Sequence, residues 1–597
     1  MARKKQSMLN GAVILVIAMG ITKVIGAIFK IPLTNILGTI GRSYYSTAYD
    51  LFIPVYSIAL AGLPVAVSKT VSHYAALERY RDVRRTYKVA KRIFFITGAV
   101  GVLLILAIAI PYTVTINKTE SIYAVLCVAP SIFFCCAMSA HKGYYNGLRN
   151  MTPSAVCEVI EATVKMVLGL AFSKAALVYA EYKAKTIGAN VFGLIVTEAT
   201  TEQEILDATA PFAAAGAILG VTMGTVFATI YVSLRLKIKG DGIEIQELRT
   251  SPAPSEIKDL RRMLMKIAIP IVGSTLIFNV TNLIDTWTIQ YRLDSVIAKD
   301  PATISQMYLN ALTSGGYIDK VDQWKTFIHG AYEIAVDFKN MIPTVTTMLG
   351  ISVIPVLSEA WTLKKQDEVK SSVESVIRIC LMIAFPAGFG MAVLASPILK
   401  LMYGDLSSNE ISAKVMLCYG LTVAVIAVCQ PITNMLQTVG RADFPVKSIA
   451  IGAVLKIGVN FLLIGIPSIN MYGAIIGTLV CYSISTGMNI FVLLKTTNVK
   501  LSVKNTIFKP FLCAALCAAG AYFTYNFASP ILCDVTKLNI SSRINGDTIA
   551  AGLAIIVAVI IYILMVLLTK CVVEADVVGL PKGEKIAKFM KKINCLG

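Results

Sequence analysis

Taken as a pattern of hydrophobic and polar positions, the chain is a succession of apolar runs of roughly 20 residues, each long enough to cross about 30 Å of hydrocarbon as a helix. The runs fall near 9–32, 44–69, 93–113, 121–142, 153–176, 209–234, 264–289, 331–358, 374–399, 411–436, 445–466, 470–494, 506–528 and 547–570. This predicts an all-α polytopic membrane protein of about fourteen transmembrane helices. The first run follows Arg3, Lys4 and Lys5 as a signal peptide would, but it lacks a small-residue cleavage site and continues past Lys23, so it reads as a retained helix. The polar stretch near 290–330 is mildly amphipathic and is expected to carry a short surface helix.

The pattern repeats. GLRNMTPSAV from Gly147 matches VGRADFPVKS from Val439, pairing Arg149 with Arg441 and Pro153 with Pro445. IPVYSIALAGLPVAVSK from Ile53 likewise matches IPTVTTMLGISVIPVLSE from Ile342, pairing Pro64 with Pro355. Both offsets are about 291 residues and each moves the motif by six helices, so the halves insert in the same orientation as a parallel repeat. The expected organisation is an N-lobe over 1–236, a cytoplasmic linker over 237–263 with a Ser-Pro-Ala-Pro break, a C-lobe over 264–496, and two further helices with a basic cytoplasmic tail over 497–597. A cavity between the two six-helix lobes, near the bilayer midplane, is the expected place for a substrate.

The balance of 56% hydrophobic to 15% charged residues agrees with this class, and the net charge of +20 then needs a source. Assigning Lys and Arg to alternate sides puts about 34 on the side of the N-terminus and about 12 on the other. Both termini are therefore expected in the cytoplasm, and the charge is a topology signal, with no nucleic acid implied. Most of the thirteen cysteines lie inside apolar runs without C-x-x-C spacing and read as small hydrophobes. The three histidines lie at run ends or in loops, and no nucleotide, metalloprotease or hydrolase motif occurs. An enzyme, a cofactor and a structural metal are not expected.

Charges within the runs carry the functional information, because an ionised side chain in hydrocarbon is costly and usually faces a bundle interior. Arg42, Lys69, Arg378 and Lys509 lie near run ends, where basic side chains snorkel. Lys23 and Lys30, seven residues apart, share a helix face. Glu158, Glu161 and Lys165 share another, with Glu161 and Lys165 in the favourable i,i+4 order; the simpler reading of that pair is self-neutralisation. Asn279, Asn282 and Asp285 form a polar stripe suited to a lysine, Na⁺ or a proton, while Glu333, Asp337 and Lys339 precede Pro343, and Lys456 with Asn460 makes a weaker pair. With five cations (Lys23, Lys30, Lys165, Lys339, Lys456) against fewer acids, the set suits an anionic substrate, since ammonium groups bind phosphate oxygens as point charges.

KGYYNGLRNMTPSAVCEVIEATVKMVLGL, from Lys142 to Leu170, resembles the aromatic-glycine turn and glutamate-bearing fifth helix of the stage V sporulation protein B and YtgP-type polysaccharide exporters. These belong to the multidrug/oligosaccharidyl-lipid/polysaccharide (MOP) superfamily, which also contains the multidrug (MATE) exporters and the lipid II flippase. ITKVIGAIFKIPLTNILG is similar to that group's first helix, with Lys23 at an arginine and Gly26 at a glycine, and DFKNMIP resembles its eighth, which places Lys339 near a substrate-binding basic position. The chain departs from the lipid II flippase in lacking an arginine pair in the second helix and in carrying lysines at Lys23 and Lys339.

The resemblance implies a flippase that moves an undecaprenyl-pyrophosphate-linked saccharide across a bacterial plasma membrane by alternating access. Lys23, Lys30, Lys165 and Lys339 would hold the pyrophosphate; Glu161, Asp285 and Asn282 would balance charge or bind a coupling Na⁺ or H⁺, with Na⁺ near Asp285. Expected partners are the lipid-linked saccharide, membrane lipids and proteins of cell-wall synthesis or sporulation. The competing readings are a Na⁺- or H⁺-coupled multidrug exporter, in which Asp285 and Glu161 bind substrate, and a non-transporting envelope or sporulation scaffold.

Overall fold

Between the first two apolar runs the helical backbone breaks at one glycine. In the computed structural model, which describes residues 8–57, 62–535, 545–574, 576 and 591, both runs enter one helix, α1 (Met8–Ser57), interrupted only at Gly38 (φ 62°, ψ −172°). A side chain there would meet open space, so the requirement for glycine is one of backbone conformation alone. Arg3, Lys4, Lys5 and nearly all of the basic tail lie outside the described residues.

The chain divides into two compact units, Met1–Tyr291 and Arg292–Gly597. The first continues with α2 (Leu63–Ala76), α3 (Tyr80–Thr115), α4 (Ile122–Gly147), α5 (Thr152–Ala184), a small antiparallel hairpin of β1 (Asn190–Val191) and β2 (Leu194–Ile195) with Val191 opposite Leu194, α6 (Glu202–Lys239), α7 (Ile245–Thr250) and most of α8 (Ile257–Lys299). The second holds α9 (Pro301–Met307), α10 (Leu309–Ser314), α11 (Val321–Thr362), α12 (Gln366–Val393), α13 (Ala395–Tyr403), α14 (Asn409–Thr438), α15 (Asp443–Ile464), α16 (Tyr472–Thr497), α17 (Lys509–Val535) and α18 (Gly546–Leu568). The short helices α9 and α10 occupy the stretch expected to form a surface helix. Ten described helices are long and apolar enough to cross a membrane, against the fourteen expected. The ten do not include α5, α8 and α11, which carry Glu161, Lys165, Asp285 and Lys339.

The internal repeat is visible in how the helices end. α4 stops in a Schellman turn at Arg149 (φ 58°), where Arg149 N–H donates to Asn146 C=O at 3.1 Å and Asn150 N–H to Tyr145 C=O at 3.0 Å. α14 stops identically at Gly440 (φ 86°), where Gly440 N–H donates to Gln437 and Arg441 N–H to Leu436. The turns thus correspond at an offset of 291, but the residue equivalent to Arg149 is Gly440; Arg441 takes the place of Asn150, one residue from the pairing expected from the sequence. α2 and α11 share a second such ending, at Glu78 (φ 56°) and Lys364 (φ 55°). The second unit has five more residues between its two turns than the first, and it carries α13 where the first has one 3₁₀ turn at Thr119–Ser121.

The segment after α6 is tied to α3 and α4. Arg84 holds Asp241 with two bonds of 2.8 and 3.0 Å, Tyr144 donates to the same carboxylate at 2.8 Å, and Ile243 N–H donates at 3.1 Å. Further along, Arg81 donates to Leu248 C=O, and Ser255 N–H to the buried Asp82. In the second unit Arg378 and Asp576, both buried, form a bidentate pair at 2.8 and 2.7 Å that fastens the segment after α18 to α12.

Candidate functional site

Beyond Gly38, α1 carries Tyr45, Tyr49, Phe52 and Tyr56 at spacings of four, three and four, which puts all four rings on one face. Successive ring centroids are 5.6, 6.0 and 4.7 Å apart. α5 lies opposite this ladder, and its rotation is set from behind by Gly216, Gly220 and Gly224 of α6, a small-xxx-small row that permits close backbone approach. A Cβ at Gly220 would meet Gly169 Cα at 2.3 Å, and one at Gly224 would meet the Glu161 carbonyl at 2.6 Å. With its backbone seated on α6, α5 directs Glu161 and Lys165 to α1.

There the two charges part company. Tyr56 donates to Glu161 Oε1 at 2.7 Å, whereas Lys165 donates to Tyr49 Oη at 3.3 Å and sits over the rings of Tyr49 and Phe29 at 4.7 and 5.6 Å. No ion pair joins Glu161 to Lys165. Each is held by a different tyrosine of α1, and the Lys165 amine lies against a hydroxyl and two π faces. Lys23 is exposed and Lys30 half-buried, and the Tyr49 hydroxyl lies in the electrostatic field of Lys165, Lys30 and Lys23 together. Glu158 pairs with the buried Lys142 of α4 at 3.5 Å, which takes it out of the Lys165 cluster.

The polar stripe of α8 packs within the first unit. Asp285 is buried and Asn282 half-buried, and beside them Thr286 donates to Asp50 Oδ2 at 2.5 Å while Gln290 donates to Thr47 at 3.2 Å. In the second unit Lys339 is buried and lies over the Tyr419 ring at 4.9 Å; the Tyr419 hydroxyl is 2.5 Å from that of Tyr332. Lys456 and Asn460 are fully buried on α15. Lys165 and Lys339 thus share a mode of support, a cation against tyrosine.

Four participants were not singled out from the sequence: Tyr49, Tyr56, Lys142 and Asp50. The aromatic spacing was there to be read, but such a stripe at helical spacing is more often core. Asp50 was visible as an acid inside the second apolar run.

A polysaccharide biosynthesis protein family model matches residues 8–204, and a lipid II flippase MurJ model matches residues 342–536. The chain is 24% identical over 515 residues to the lipid II flippase MurJ of Bacillus subtilis (strain 168), covering 84% of this chain and 85% of the relative. It is also 24% identical over 500 residues to stage V sporulation protein B of the same organism, covering 83% and 84%. Among solved structures, a lipid II flippase MurJ in an inward closed conformation aligns with a TM-score of 0.56 at 14% identity, over 93% of this chain and 98% of that one. An inward-facing multidrug resistance MATE family transporter of the MOP superfamily aligns with a TM-score of 0.56 at 13% identity, over 81% and 94%. Of these, MurJ is a flippase and the MATE protein a transporter, and neither is a catalytic enzyme. The chain is a multi-pass membrane protein homologous to the lipid II flippase MurJ and to stage V sporulation protein B, and it has the fold of the solved MurJ and MATE structures.

Proposed function

We propose that this protein is a flippase for an undecaprenyl-pyrophosphate-linked saccharide, a precursor of peptidoglycan or of another polysaccharide. It carries its substrate from the cytoplasmic to the outer leaflet of a bacterial plasma membrane by alternating access, with both termini in the cytoplasm. The observation that carries this reading is the support of Lys165 by Tyr49 and Phe29 in place of an acid. An ammonium so placed, with Lys23 and Lys30 acting on the same hydroxyl, favours a polyanion such as pyrophosphate. Lys339, against Tyr419, offers the same chemistry in the second unit.

Glu161, held by a tyrosine hydroxyl, and Asp285 with Asn282 are the groups proposed to balance charge or to take a coupling H⁺ or Na⁺. Moving one charge through the membrane potential supplies about 2.3 kcal/mol per 100 mV. The test is native mass spectrometry of the purified protein. A co-purifying lipid-linked saccharide, lost in Lys165→Gln, supports the reading. Efflux of a cationic drug, abolished by Glu161→Gln with no lipid-linked saccharide bound, would replace it with a multidrug exporter; neither activity would leave a scaffold.

A further inference from the structure

The hydroxyl of Tyr49 has an unspent proton. It accepts from Lys165 Nζ at 3.3 Å, and that leaves its own O–H to donate; no described group receives it. The contrast is with Tyr56, two turns further along α1, whose proton goes to Glu161 at 2.7 Å. Tyr49 as a residue is half-buried. Lys165, Lys30 and Lys23 all act on this one oxygen, and the ring beneath it is fixed by stacking on Tyr45 at 5.6 Å and by Phe52 at 6.0 Å. A hydroxyl donor on a rigid ring, with an ammonium in contact and two more cations in its field, is complementary to an anionic oxygen that accepts the hydrogen bond while the ammonium ions balance its charge.

We infer that Tyr49 is a further substrate-binding residue, donating its hydroxyl proton to a phosphate oxygen of the lipid-linked substrate while positioning Lys165 beside the same phosphate. The inference rests on the flippase reading above and adds a residue with a distinct chemistry to it. A lysine alone is a point charge without directional preference. The phenol supplies direction, so the pair recognises one oxygen by charge and by geometry together.

Tyr49→Phe removes the hydroxyl and keeps the ring, its stacking and its contact with Lys165. The protein in detergent is titrated with undecaprenyl pyrophosphate and, separately, with undecaprenol, and binding is followed by native mass spectrometry. A charge-assisted hydrogen bond corresponds to about a tenfold or greater loss of affinity. The expected result is that loss for the pyrophosphate in Tyr49→Phe, with undecaprenol binding unchanged. Lys165→Gln should also weaken the pyrophosphate, and the double variant should lose less than the product of the two single losses. Equal pyrophosphate affinity in wild type and Tyr49→Phe overturns the role of Tyr49 and leaves the flippase reading standing. Failure of the wild type to bind pyrophosphate better than undecaprenol overturns both.

Discussion

Glu161 and Lys165 stand one turn apart on α5 in the order that favours a helical ion pair, yet Glu161 accepts from Tyr56 and Lys165 donates to Tyr49. The α5 backbone at these residues rests on the glycine row of α6, so both side chains reach α1 before they reach each other. The pair is resolved into two tyrosine contacts, which leaves a cation and an anion separately addressable.

Removing the Tyr56 hydroxyl should expose how much of this is structural. Tyr56→Phe leaves the Glu161 carboxylate short of a partner and should cost about 1–3 kcal/mol. Glu161→Gln keeps an acceptor for the same hydroxyl and should cost less. Thermal unfolding in detergent distinguishes the two; a Tyr56→Phe protein as stable as wild type would mean that the 2.7 Å bond holds nothing in place.

The contact of α5 with α6 predicts a steep dependence on glycine at one position. Gly220→Ala puts a methyl 2.3 Å from Gly169 Cα, so the helices must separate, at a cost of about 1–3 kcal/mol typical of overpacking. Gly458→Ala, in open space on α15, should be neutral or slightly stabilising. Equal melting temperatures for the two variants would contradict the packing described.

The repeated helix endings give a prediction of opposite sign. Arg149 is exposed and holds the left-handed conformation that Gly440 holds in the second unit. Arg149→Gly relieves that strain and should stabilise by about 0.5–1 kcal/mol, while Gly440→Ala should destabilise by a similar amount. Chemical denaturation of the two variants reads both signs.

Asp241 lies in the segment after α6, where burial would raise its pKa, but the Arg84 guanidinium, the Ile243 N–H and the Tyr144 hydroxyl together hold the carboxyl below its ordinary value. Because the folded value is depressed, the stabilisation is fully present above the unfolded Asp value of about 3.9 and is lost as pH falls through the folded one. The stability difference between wild type and Asp241→Asn should therefore be flat above about pH 5 and shrink in more acid solution. A difference that grows on acidification would reverse the sign of the assigned contact.

The class of fold was legible because apolar length is a one-dimensional signal. The repeat was legible for the same reason, apart from one residue of register: sequence similarity aligns arginine with arginine, whereas the turn aligns by which residue carries the positive φ, and Arg149 does so without being glycine. At the site, the charges on α5 announced themselves by their cost in hydrocarbon, but their partners did not. Spacing along α5 shows that Glu161 can reach Lys165; it does not show that Tyr49 and Tyr56 of α1, over a hundred residues earlier, compete for both and win. Tertiary packing set by Gly220 and Gly224 decides that outcome, and no local pattern records it.

The central claim is that this lobe's lysines, Lys165 first, move a pyrophosphate-linked lipid across the bilayer. Its most direct test is transbilayer movement of a fluorescent undecaprenyl-pyrophosphate-linked saccharide in proteoliposomes, read by quenching of the outer leaflet. The account predicts rapid movement with wild type and at least a tenfold loss with Lys165→Gln at equal protein content. Movement at the wild-type rate in Lys165→Gln, or none in the wild type under an imposed membrane potential and Na⁺ and H⁺ gradients, would contradict it.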